Sequence, residues 1–93
     1  MLEKEIEKKL VTAVRMMDGV AVKFVSPGYA GMPDRLVLLP GGKTGFVEVK
    51  APGGKPRPLQ AARHRMLERL GCKVYTLDGE DQIGGILDGI QAP

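Results

Sequence analysis

A chain of 93 residues with a formal charge of +3 and one cysteine has room for a single domain, 1–93, with a modest core. A lone cysteine excludes an internal disulfide framework and a cysteine-built zinc site, and no apolar run is long enough to span a membrane. The mild positive charge permits an anionic partner without establishing one.

The N-terminal stretch MLEKEIEKKL is charged and helical in pattern, with no apolar signal-peptide stretch behind it, so the chain is expected in the cytoplasm. Leu2, Ile6, Leu10, Ala13, Val14 and Met17 recur at helical spacing, and Asp18-Gly19 ends that helix. VAVKFV (20–25) is rich in β-branched residues and reads as a strand; SPGYAGMP (26–33) is a loop by its glycines and prolines. DRLVLL (34–39) and GFVEVK (45–50) are two strands joined through PGGKT as a hairpin. After a second loop, APGGKPRP (51–58), Pro58 suits the first turn of a helix running to Leu70, which Gly71 stops. CKVYTL (72–77) gives a fourth strand, with Cys72 read as a small buried core residue. EDQIGGILDGI forms a last helix of poor intrinsic propensity. The order α-β-β-β-α-β-α is packed most economically as an α/β fold, with one central mixed four-stranded sheet flanked by helices.

GFVEVK sets two charges inside an apolar strand. Side chains two apart share a face, so Glu48 and Lys50 point the same way, about 6.5 Å apart along the backbone, with Val47 and Val49 on the other face. By itself such a Glu-x-Lys is ordinarily a solvated ion pair. Here Asp34 follows Pro33 at the start of the preceding strand, and the hairpin carries it beside Glu48. Two converging carboxylates repel unless a cation lies between them, and oxygen ligands of this kind suit Mg²⁺ or Mn²⁺. A lysine at the rim of such a site can orient a water. Both acids are even-numbered, so an unbulged hairpin brings them to one face only if its loop has an odd number of residues. A two-residue Gly41-Gly42 turn would separate them.

Other chemistries lack their parts. One histidine and one cysteine provide no nucleophilic triad, and no glycine-rich loop precedes a Lys-Ser/Thr pair, so nucleotide triphosphates are not expected partners. His64, one turn beyond Gln60, reads as an exposed helix residue; Glu5, Glu7, Glu80 and Asp81 read as surface or capping charges.

GMPDRLVLL followed by FVEVKAPGGKPRPLQ resembles the PD-(D/E)XK nuclease superfamily and, within it, the VRR-NUC family with its small standalone phage and bacterial members. Pro33-Asp34 matches the PD and Glu48-Val49-Lys50 the (D/E)XK. Gly31 before Pro33-Asp34, and Leu59-Gln60 after a Pro/Gly-rich loop, are more specific, and the likeness runs from the first helix through about Leu77. The resemblance implies a restriction-endonuclease-like core and a metal-dependent, structure-selective DNA endonuclease, cutting branched DNA such as Holliday junctions or flaps. Asp34 and Glu48 would ligate Mg²⁺ or Mn²⁺ with the backbone carbonyl of Val49, Lys50 would stand by the attacking water, and Gln60 would reach the site from the second helix. The family also places a glutamate on the first helix. A helical wheel sets Glu3 about 45° and Glu7 about 85° from the centre of the apolar stripe, which favours Glu3.

A homodimer would present two active sites and bury apolar surface, with IGGILDGI stabilised against the partner. Lys55, Arg57, Arg63, Arg65 and Arg69 form a basic stretch suited to salt-sensitive phosphate contact. Gly31 would let backbone approach a phosphate, and Tyr29 would stack on a base or sugar. The setting implied is a bacterial cell or phage-infected host. The alternative is a non-catalytic DNA-binding module on a nuclease-like fold, which need not keep both acids and the lysine.

Overall fold

The structure, a computed structural model, describes all of Met1–Pro93. Helix α1 (Glu3–Met16) buries Ile6, Leu10 and Val14, whose spacing of four aligns them in one row facing the sheet. Glu5 closes its first turn by accepting a 2.7 Å hydrogen bond from the backbone N–H of Leu2. The helix ends where Asp18 turns to a left-handed φ of 62°, a conformation that aspartate tolerates better than most residues.

Four strands follow, β1 (Val20–Lys23), β2 (Arg35–Leu39), β3 (Lys43–Val49) and β4 (Val74–Leu77), and they lie in the sheet in chain order. The β1–β2 and β2–β3 pairs are antiparallel, while β4 runs parallel to β3 after the crossover through α2 (Pro58–Arg69). The sheet is therefore mixed. The β2–β3 pairing ends at Leu39 opposite Lys43, leaving Pro40, Gly41 and Gly42 as the loop, with Gly41 and Gly42 at φ of 85° and 75°. Three is the odd number that the shared face requires. Strand β1 stops two residues earlier than its composition suggests. Phe24 still donates its N–H to the Asp34 carbonyl at 2.9 Å, and Ser26-Pro27 then carries the chain away.

The apolar core lies on one face of the sheet. Val37, Leu39, Val47, Val49 and Leu77 meet Ile6, Leu10 and Val14 of α1 and Ile83, Ile86, Leu87 and Ile90 of α3 (Ile83–Gln91). Two expectations are corrected here. The glycine-rich last helix needs no partner, because all four of its large apolar side chains are buried in this chain's own core. Cys72 is only partly buried, because β4 begins at Val74 and the turn after Gly71 leaves the thiol at the margin. On the opposite face α2 covers the β3–β4 side. Beyond it Val20, Val22 and Leu38 stay 49%, 37% and 36% exposed, next to an edge-to-face pair of Phe24 and Phe46. No helix is long and apolar enough to cross a membrane.

Candidate active site

Hairpin register decides where the acids go. Arg35 pairs with Val47, so one step further sets Asp34 opposite Glu48, both on the face away from the valine core. The Asp34 side chain is tied to the end of β3, its Oδ1 accepting the Val49 N–H at 3.1 Å. Glu48 is 3% exposed, although it is ionisable. Helix α2 roofs it. Gln60 donates its Nε2 to Glu48 Oε2 at 3.3 Å, while its Oε1 accepts from Lys50 Nζ at 2.9 Å and from the Arg57 N–H at 2.8 Å. Lys50 Nζ itself lies 3.8 Å from Glu48 Oε2. A glutamine at the start of α2 thus joins the acid of the Glu-Val-Lys triplet to its lysine.

The electrostatics are those of crowded acids short of positive charge. Burial, and then the Glu48 charge, push the Asp34 carboxyl up from 3.8 to about 6. Burial also raises Glu48, against the opposing pull of Lys50. Glu48 Oε1 is buried with no hydrogen-bond partner, an arrangement that costs free energy unless something supplies positive charge or a donor. The donor set passes this test for a hard divalent cation: two carboxylates on one face, one with a bare buried oxygen, beside the end of β3 where the Val49 carbonyl lies. Asp34, Glu48 and that carbonyl are the groups that could hold such an ion.

His64 corrects the expectation of an exposed helix residue. Its side chain is 12% exposed, and Nε2, likewise buried and unpartnered, lies 3.6 Å from Glu48 Oε1. Burial lowers its pKa, so it is neutral near pH 7 and the contact is not an ion pair. Four residues after Gln60, His64 shares its helix face, but its burial follows from how closely α2 lies on the sheet. Glu7 corrects another. It is no free surface charge but accepts a 2.9 Å hydrogen bond from Arg35 Nε, and Arg35 also donates to the Ala21 carbonyl. Glu3, favoured by the wheel, is exposed in the first turn, and its charge raises Glu48, whereas Glu7 raises Asp34. Both helix-1 acids therefore act on the pair, one on each member.

The basic stretch divides. Lys55 and Arg57 are exposed on the loop leading into α2, and the Arg57 charge reaches Glu48. Arg65 and Arg69 are exposed, Arg65 about 140° round the helix from Gln60. Arg63 is turned to the 26–33 loop and lies over the ring of Tyr29. Gly31 is pressed against α2, where a Cβ would meet Leu59 Cγ at 2.8 Å.

Among models of protein families none matches the chain. A curated relative, "Putative nuclease p44" of Acyrthosiphon pisum secondary endosymbiont phage 1, is 57% identical over 79 residues, covering 85% of each chain. A solved structure described as "VRR_NUC domain" superposes with a TM-score of 0.86 at 30% identity, over 92% of this chain and 94% of the other.

Proposed function

The chain belongs to the VRR-NUC family of PD-(D/E)XK nucleases, and we propose that it hydrolyses phosphodiester bonds in branched DNA as a divalent-metal-dependent endonuclease. The observation that carries this reading is the buried pairing of Asp34 and Glu48 beside Lys50, with one acid raised to about 6 and the other holding an unpartnered oxygen. A surface ion pair would show neither feature. A DNA-binding module would have no reason to bear the cost of burying Glu48.

In this reading Asp34, Glu48 and the Val49 carbonyl hold Mg²⁺ or Mn²⁺, with Glu3 as a further acid from α1. The ion supplies Lewis-acid polarisation of the scissile phosphate and offsets its charge. Lys50, fixed by Gln60, orients the attacking water and steadies the developing negative charge. Gln60 holds Lys50 and Glu48 in one arrangement, so nucleophile and phosphate meet at a set distance. Lys55, Arg57 and Arg65 contact phosphates without reading sequence.

Selectivity for structured DNA such as junctions and flaps is favoured by the exposed Lys55, Arg57 and Arg65, which suit contact with phosphates rather than with base edges. Homodimerisation would give the paired cuts that a four-way junction needs. It is supported by the apolar strip of Val20, Val22 and Leu38, on the same sheet face as the acids. The cytoplasm of a bacterial or phage-infected cell is where such DNA would be met. The test is incubation with duplex, flap and four-way junction DNA in Mg²⁺, in Mn²⁺ and in EDTA. Metal-dependent cutting that falls about 10²- to 10⁴-fold in Lys50→Ala, with DNA retardation kept, is expected. Retardation without cutting in the wild type would select the binding module instead.

A further inference from the structure

Helix α2 has little apolar hold on the sheet. Of its 12 residues only Gln60 and Leu67 are buried, whereas α3 buries four of nine. Yet α2 carries the two side chains, Gln60 and His64, that lie against the Glu48 carboxylate. A weakly anchored helix would not hold them still.

What restrains it lies on an adjoining face, where Leu59, Arg63 and Met66 stand at helical spacing against the 26–33 loop. The Arg63 guanidinium lies 3.9 Å from the centroid of the Tyr29 ring. Its Nε donates to the Ala30 carbonyl at 2.8 Å, and the Tyr29 hydroxyl donates to Met66 Sδ at 3.1 Å. Gly31, at a φ of 87°, lets the loop backbone press onto Leu59. From there the chain runs through the fully buried Pro33 straight into Asp34. These contacts join the segment bearing one acid to the helix bearing the glutamine that holds the other.

We infer that Arg63 is a positioning residue: stacked on Tyr29 and bonded to Ala30, it fastens α2 to the loop that leads into Asp34 and so keeps Gln60 over Glu48 and Lys50. This rests on the nuclease reading above. A phosphate contact at position 63 would ask only for positive charge. The clasp asks for a planar group that can stack and donate from Nε at once, which lysine cannot do.

The experiment compares Arg63→Lys, Arg63→Gln, Tyr29→Ala and Tyr29→Phe with wild type. Single-turnover cleavage of a four-way junction is measured at saturating protein in Mn²⁺, and junction affinity is measured against salt in EDTA. Arg63→Lys, Arg63→Gln and Tyr29→Ala are expected to cut about ten- to hundred-fold more slowly, the scale of loss when reacting groups are misplaced by about 1 Å. Affinity and its salt slope hold for Arg63→Lys and Tyr29→Ala, and Tyr29→Phe, which keeps the ring, restores most of the rate. Wild-type cutting by Arg63→Lys, with Arg63→Gln losing affinity and about one from the salt slope, would make Arg63 a phosphate contact and overturn the inference. Should the Arg63 variants not fold, equal rates for Tyr29→Ala and wild type would overturn it as well. A wild type that cuts, with every variant matching it, removes the clasp alone. A wild type that cuts no duplex, flap or junction removes the nuclease reading too.

Discussion

Asp34 bears the largest electrostatic load in the site, because its carboxyl is desolvated and faces Glu48 across the hairpin. Its folded pKa of about 6 lies above the ordinary 3.8, so between these values the folded ion-free protein keeps a proton that the unfolded chain gives up. The stability it contributes is present at low pH and lost as pH rises through about 6. His64, held neutral by burial, slopes the other way, so the comparison that isolates Asp34 is with Asp34→Asn, which keeps His64. In EDTA, the melting temperature of Asp34→Asn should overtake that of wild type progressively from pH 4 to pH 6. It should remain higher at pH 7, with stabilisation of about 1 kcal/mol and no cutting. An Asp34→Asn protein less stable than wild type at pH 7 would mean that the acid is not crowded. Because protons on the two raised acids compete with the ion for the same oxygens, divalent-ion affinity should climb as pH rises through about 6.

At the level of elements, the hairpin was legible because side-chain alternation is rigid: once the loop holds three residues, Asp34 and Glu48 must share a face. Helix α2 was legible from Pro58 and Gly71, which bound it on either side. Three features were not. The burial of His64 depends on how closely α2 lies on the sheet, which helical spacing alone does not give. Glu7 looks like any helix-surface charge until Arg35, 28 residues away, is brought beside it. The last helix reads as weak because Gly84, Gly85 and Gly89 lower its propensity, yet tertiary burial of Ile83, Ile86, Leu87 and Ile90 outweighs that. Gly89 even has a packing reason, since a Cβ there would collide with the Tyr75 hydroxyl. Ile90 is fully buried, so Ile90→Ala should cost about 2–5 kcal/mol in denaturant unfolding. The cleavage rate of the folded fraction should be unchanged, because α3 and the acids occupy opposite faces of the sheet. A loss below about 0.5 kcal/mol would show that α3 is not held by this core.

Over the whole molecule, the two faces of one sheet divide the work. One is closed by α1 and α3 and holds the fold together. The other is covered by α2 only over β3 and β4, and it carries the acids, the lysine and an apolar margin. Positive charge enters this face from the 51–57 loop, which Asp78 secures by accepting the Gly53 N–H at 3.2 Å. Neutralising Lys55 or Arg57 to glutamine should weaken binding to every DNA sequence alike and lower the salt slope by about one each; an unchanged slope would place DNA elsewhere. Every functional step proposed here presumes a cation between Asp34 and Glu48. Crystals soaked in Mn²⁺ and measured at its absorption edge should show an anomalous peak at about 2.1–2.2 Å from a carboxylate oxygen of each acid, absent in Asp34→Asn. A well-ordered site with no peak there, or a peak bound by other residues, would contradict a metal-dependent nuclease built on these two acids.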